Sequence, residues 1–161
     1  MQGYASAQCS LGFMYESGHG VKQSYEKAVE WFAKAAMQGY AGAQFNLGFM
    51  YANGHGVKQS DENAAEWYEK AAKQRHADAQ CYLGFMYANG RGVKESDKKA
   101  VEWYREAAKQ GHAFAQFYLG NMYKKGHGVK QSYEKAREWC VKAVEQGQAD
   151  AQCTLGNMYK N

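Results

Sequence analysis

The 161-residue chain contains no proline, where average usage of roughly 5% would supply about eight. With Ala, Lys, Glu and Gln abundant, that absence points to an almost wholly helical chain. Long hydrophobic runs are missing too. No stretch approaches the roughly 18 apolar residues of a membrane-crossing helix, so no membrane span is expected. The N-terminus lacks a charged segment followed by an apolar one, so no secretory leader is visible. Charge of one sign is also lacking: 20 basic and 16 acidic residues are interspersed and leave a formal net charge of +4. Nucleic-acid binding ordinarily shows a basic stripe. Lys124, Lys125 and Lys130 come nearest and read as a solvated rim, so no nucleic-acid partner is expected.

What is present is a period of 36 residues. Leu-Gly stands at Leu11-Gly12, Leu47-Gly48, Leu83-Gly84, Leu119-Gly120 and Leu155-Gly156. Tyr15, Tyr51, Tyr87, Tyr123 and Tyr159 follow in step, as do Trp31, Trp67, Trp103 and Trp139. A fixed period of about 20–50 residues marks a solenoid, in which each unit is too small to bury its own core and must stack on its neighbours. Function in such chains lies on an extended surface rather than in one pocket. Met1-Gln2-Gly3-Tyr4 aligns with Met37-Gln38-Gly39-Tyr40, so the chain starts mid-pattern, in the manner of an excised fragment. The missing leader then says little about the compartment.

Within one repeat, Ala41, Gln44, Leu47, Met50 and Tyr51 have the spacing of one buried helix face. Gly54-His55-Gly56-Val57 ends this A helix, since a glycine just past the last turn suits the left-handed C′ position. Ser60 caps a second, B helix, and Asp61 and Glu62 favour the positive end of its dipole. Ala64, Trp67, Tyr68, Ala71 and Ala72 form an amphipathic stripe that places the Trp column in the space between helix pairs. Glu66/Lys70, Glu30/Lys34 and Glu138/Lys142 are spaced as i,i+4 ion pairs. Gly48 and its equivalents sit inside helix A, where glycine costs roughly 0.5–1 kcal/mol relative to alanine. The return is close approach of the neighbouring helix. The turn from B to the next A carries Gly39, Gly111 and Gly147, and Arg75 breaks that column at a position that favours positive φ.

Counted this way, residues 1–161 form a single array with a partial repeat at each end. The A helices span about 4–17, 40–53, 76–89, 112–125 and 149–160. The B helices span about 24–38, 60–74, 96–110 and 132–146, about nine helices in all. The fold class is all-α, with short connectors and antiparallel neighbours. Cys9, Cys81 and Cys153 share one repeat position with Phe45 and Phe117. Same-position residues two repeats apart lie roughly 20 Å or more from one another at about 8–10 Å per helix layer. A disulfide needs Cα atoms within about 7 Å. Those three therefore cannot pair with one another, whereas Cys140 with Cys153 stays open, and the free-thiol reading leans toward a reducing, cytoplasmic setting.

Phe45-Asn46-Leu47-Gly48-Phe49-Met50-Tyr51-Ala52-Asn53-Gly54-His55-Gly56-Val57, followed by Ala64-Ala65-Glu66-Trp67-Tyr68-Glu69-Lys70-Ala71-Ala72, resembles the Sel1-like repeat, a relative of the tetratricopeptide repeat. The resemblance covers essentially the whole chain. It implies a right-handed α/α superhelical solenoid whose A helices line the concave side, and an adaptor or scaffold role in binding other proteins or peptides. Lys22, Lys58, Lys94 and Lys130 stand where the family commonly has proline. A cysteine-rich branch described as β-lactam-binding or hydrolase-like carries a regular disulfide in each repeat, an arrangement these cysteines do not have.

Ser24-Tyr25-Glu26-Lys27, Ser96-Asp97-Lys98-Lys99 and Ser132-Tyr133-Glu134-Lys135 match the S-x-x-K of penicillin-recognising enzymes. Neither supporting element, Ser-Asp-Asn or Lys-Thr-Gly, occurs, and a serine N-cap before a polar first turn explains the match. His19, His55 and His127 share a loop position with Arg91. Ligands of one zinc lie within roughly 4 Å of each other, so residues in separate repeats are too far apart, and no metal or other cofactor is expected. His76 and His112 stand at A-helix starts. Carried over from the family geometry, Ser10, Phe13, Asn46, Phe49, Tyr82, Phe85, Phe114, Tyr118 and Asn121 face the groove, with Phe45 and Phe117 partly in the core. Most of these vary between repeats while the frame around them does not. The chain is accordingly read as a non-enzymatic scaffold with a protein or peptide partner. The alternatives are β-lactam chemistry or a structural fragment of a larger scaffold. The last helix repeats the interior pattern at Leu155, Met158 and Tyr159, so end-to-end self-association is a further expectation.

The S-x-x-K reading can be checked directly. Purified protein should leave a chromogenic β-lactam unhydrolysed, and Ser24→Ala should cost about 1 kcal/mol as a lost cap. Burst kinetics abolished by that substitution would overturn it.

Overall fold

The computed structural model describes residues 2–147. Among them are eight α-helices and no strand: α1 (Gln2–Ser17), α2 (Tyr25–Met37), α3 (Ala41–Asn53), α4 (Asp61–Lys73), α5 (Ala77–Asn89), α6 (Asp97–Lys109), α7 (Ala113–Lys125) and α8 (Tyr133–Glu145). Odd-numbered helices are the A helices and even-numbered ones the B helices. The ninth helix expected over 149–160 lies outside the described residues, as does the pairing of Cys140 with Cys153. The chain divides into two compact units. Met1–Ala79 with Arg91–Val93 form unit 1, and Gln80–Gly90 with Lys94–Asn161 form unit 2.

Local chemistry sets each helix end. Ser24, Ser60, Ser96 and Ser132 accept from the backbone N–H of Lys27, Asn63, Lys99 and Lys135 at 3.1–3.3 Å, capping every B helix. The N–H of each capping serine donates at 2.9–3.0 Å to the carbonyl of Tyr15, Tyr51, Tyr87 or Tyr123, folding the B helix back against its A helix. Gly54 and Gly126 end α3 and α7 in the left-handed conformation, at φ 68° and 74°. Arg75, at φ 65°, is the one described non-glycine residue with positive φ.

The cores rest on contact between the paired helices of one repeat. A Cβ at Gly12, Gly48, Gly84 or Gly120 would stand 2.5, 2.8, 2.7 or 2.7 Å from Phe32, Tyr68, Tyr104 or Cys140 Sγ respectively. Glycine is therefore required for the rings to lie on the A-helix backbone, and its helix cost is offset by that burial. Phe32, Tyr68, Tyr104 and Cys140 are at most 2% exposed.

This corrects the expectation for tryptophan. Trp31, Trp67, Trp103 and Trp139 are only half-buried, because they lie one residue, about 100° of helix rotation, away from the position facing the glycine. Lysine ammonium groups cover three of them. Lys34, Lys70 and Lys142 stand 4.3, 3.8 and 4.4 Å from the ring centroids of Trp31, Trp67 and Trp139. The lysine three residues on shares the ring's face of the helix, so it lies over the tryptophan instead of forming the i,i+4 pair with glutamate read from spacing. The third repeat has Glu106 there, which pairs with Lys109 at 2.7 Å.

Four glutamines are the buried polar residues among those described: Gln8, Gln44, Gln80 and Gln116. Each accepts from the C-cap glutamine of its own repeat's B helix. Gln38, Gln74, Gln110 and Gln146 donate through Nε2 at 2.6, 2.8, 2.7 and 2.8 Å. Gln44 and Gln116 also donate to the carbonyls of Ala36 and Ala108 at 3.2 Å. A buried amide thus satisfies a last-turn carbonyl of the preceding B helix and grips its own, joining three helices.

These contacts rank two neighbouring substitutions. Tyr68→Ala should destabilise by about 3–5 kcal/mol, and Trp67→Ala by clearly less. Chemical denaturation of both variants checks the order, and equal losses would mean that the two rings share the core.

Candidate functional site

The division of charge between helix types defines the candidate surface. The A helices α1, α3, α5 and α7 carry only Glu16, Asp78, Lys124 and Lys125 among Asp, Glu, Lys and Arg. Each B helix carries four to seven such residues. The faces of the A helices that are not spent on packing are thus mostly neutral, lined with rings, hydroxyls and amides.

In unit 1, Phe13 is 47% exposed and meets buried Phe32 edge-on at 5.3 Å. Ser10 is exposed and its hydroxyl donates to the Ser6 carbonyl at 3.1 Å. Asn46 is half-buried, and its Nδ2 donates to Gly42 at 2.8 Å and reaches Cys9 Sγ at 3.9 Å. That contact sets α3 beside α1. Phe49 packs half-buried on the core, with its edge toward His55 at 6.2 Å. In unit 2, Tyr82 and Phe114 are 43% and 52% exposed. Phe85 and Tyr118 pack against the core, Tyr118 stacking on Tyr104 at 5.2 Å. Asn121 is half-buried. Of the candidates named from sequence, Phe13, Tyr82 and Phe114 are therefore the rings offered outward, whereas Phe49, Phe85 and Tyr118 also hold the fold and Asn46 spends its donor internally.

The motif candidates have structural roles. In each S-x-x-K match the serine is the N-cap, and the lysine ammonium turns away onto a tyrosine ring. Lys27, Lys99 and Lys135 lie 5.3, 4.9 and 5.4 Å from the centroids of Tyr15, Tyr87 and Tyr123. His112 accepts from the Ala115 N–H at 3.2 Å and His76 from the Ala79 N–H at 3.3 Å, each capping an A helix. His19 bonds Ser17 at 2.8 Å, and His55 stacks on Tyr25 at 4.8 Å. Arg91 grips Asp61 at 2.8 and 3.2 Å, and His127 stands 4.0 Å from Asp97. The His/Arg loop position thus meets the first residue of the preceding B helix. No described group of three or more His, Cys, Asp or Glu could hold a metal. Cys9, Cys81 and Cys140 are buried and lie outside any disulfide among the described residues. Burial pushes the Cys9 thiol up, opposed by the Asn46 amide and aided by Glu16. Burial also raises Cys140, with Lys124 opposing.

Sequence reasoning missed the glutamine pairs. Their signal was present, since Gln8/44/80/116 and Gln38/74/110/146 recur at the full period and spacing put Gln44 on the buried face, yet nothing local names a partner 30 residues away.

A family model for the Sel1 repeat matches residues 5–40, 41–76, 77–112 and 113–148. A comparison with curated protein sequences finds no match. Among solved structures, a Sel1 repeat protein from Oxalobacter formigenes is similar over 98% of this chain, with 39% identity and a TM-score of 0.93. A protective antigen present in uropathogenic Escherichia coli strains, displaying an SLR fold, is similar over 96%, with 43% identity and a TM-score of 0.94. The chain spans 63% and 33% of the lengths of those two proteins. Helicobacter pylori cysteine rich protein B is 25% identical, with a TM-score of 0.61 over 82% of this chain and 98% of its own.

Thiol reactivity follows from the burial. In a Cys153→Ser variant the other three cysteines should react with Ellman's reagent slowly while folded and at once in guanidinium, because only an accessible thiolate attacks. Rapid labelling of the native variant would show that the cores open.

Proposed function

This chain belongs to the Sel1 repeat family, and on that premise we propose that it is a non-enzymatic scaffold whose A-helix surfaces dock a peptide segment or protein surface. Sel1 repeat proteins are generally protein-interaction scaffolds. The observation that carries the reading here is the outward presentation of Phe13, Tyr82 and Phe114 on helices almost free of charge. Exposed aromatic side chains anchor interfaces because they bury large area at low entropic cost. Residues 1–161 act in this reading as one repeat array, each unit presenting its own A-helix surface. The S-x-x-K serines serve as caps, which favours binding over hydrolysis. No described helix is long and apolar enough to cross a membrane.

Selection of a displayed peptide library against the chain tests this. Tyr82→Ala with Phe114→Ala should weaken a selected peptide by about 2 kcal/mol or more, the scale of interface hot spots, with helicity unchanged. Glu66→Ala on α4 should have no effect. If Glu66→Ala abolishes binding and the ring variant does not, the A-helix surface is the wrong site.

A further inference from the structure

The net charge of +4 is confined to one place. Unit 1 contains equal numbers of basic and acidic residues, so the whole excess belongs to unit 2. Within unit 2 the described excess lies at a single end, where α5 and α7 finish and α6 and α8 begin. Lys94, Lys98, Lys99, Lys124, Lys125, Lys130 and Lys135 stand there against Glu95, Asp97 and Glu134. The second connector is held against the start of α6. A Cβ on Gly128 would collide with the backbone of Asp97, so the second connector sits on the first turn of α6, and His127 faces Asp97 at 4.0 Å.

The repeat frame does not require these lysines. Where α6 begins with Lys98-Lys99, α4 has Glu62-Asn63, and where α7 ends in Lys124-Lys125, α3 ends in Ala52-Asn53. Lys98 and Lys99 in a helix's first turn oppose its dipole, an unfavourable placement. Lys99 and Lys135 lie over tyrosine rings. No ion pair among the described residues engages Lys94, Lys98, Lys124, Lys125 or Lys130, and all but half-buried Lys124 are exposed. In unit 1, by contrast, the connector cation Arg91 is held by Asp61.

We propose that this end of unit 2 binds an acidic polypeptide segment, on a surface distinct from the A-helix rings. Like charges gathered without carboxylate partners raise the local potential and attract an anion. The interspersed Glu95, Asp97 and Glu134 suit discrete side-chain carboxylates, which can sit between them, and repel a continuous phosphate backbone.

Fluorescence anisotropy on the full chain tests the proposal, with fluorescein-labelled polyglutamate and a labelled DNA duplex in parallel over a sodium chloride series. Polyglutamate should bind more tightly than the duplex and weaken as salt rises. The variant Lys98→Glu/Lys99→Asn/Lys124→Ala/Lys125→Asn, built from residues that unit 1 carries at the same positions, should lose about tenfold or more in affinity. Its circular dichroism melt should match that of the parent. Lys125→Asn with Lys130→Ala, both exposed, should give a smaller loss in the same direction. Lys22→Ala with Lys58→Ala in unit 1 should change nothing. Unchanged affinity in both unit 2 variants, an equal loss in the unit 1 variant, or preference for the duplex would each overturn the proposal.

Discussion

The interaction on which the rest depends is the contact between a bare stretch of A-helix backbone and a buried side chain of its partner B helix. Gly48 against Tyr68 shows the constraint. Any side chain at residue 48 would stand within 3 Å of the tyrosine ring and 3.2 Å from the Ala64 carbonyl oxygen. The interhelix spacing is therefore set by the absence of a Cβ rather than by interdigitation of two large side chains. With that distance fixed, the small Ala64 and Ala71 close the seam and are fully buried. The tryptophan one position before the ring is turned to the flank, where an alkyl-ammonium chain covers it.

The same geometry separates charge from apolar surface. The hairpins close through rings, alanines and glutamine pairs, and every buried polar residue described is an amide with a partner. Most of the charge is left to the B helices and the connectors, where water solvates it. The A helices keep the outward rings Phe13, Tyr82 and Phe114. Two chemically different surfaces result from one packing rule: a neutral aromatic one suited to apolar anchors, and a lysine-rich connector end in unit 2.

The connectors are packed parts of the frame. Gly56, Gly92 and Gly128 lie directly on the backbone that opens the preceding B helix, and the adjacent His or Arg meets the side chain there. The pairings differ, His55 with Tyr25, Arg91 with Asp61 and His127 with Asp97, yet each joins one repeat to the one before it. Serine, histidine and lysine motifs that suggest catalysis when read as strings serve here as caps, stacks and ring covers.

The period of 36 residues, the Gly12/48/84/120 column, the serine caps and the left-handed glycines determined the helices, their pairing within a repeat and the family. These features depend on local φ, on hydrogen bonds a few residues apart and on spacing, all of which a chain displays directly. The positive φ of Arg75 was legible for the same reason. Only the tertiary structure decided that Tyr68 rather than Trp67 is buried, that Lys70 lies on Trp67, that Gln44 holds Gln74, and that the Asn46 donor is already engaged. The first two turn on about 100° of rotation around one helix, a difference that a stripe several residues wide does not resolve. The third requires a partner 30 residues away. The last requires knowing that Asn46 takes the carbonyl one turn behind it in its own helix and lies beside Cys9 of α1. Such choices are made by neighbours that the chain brings together only when it folds.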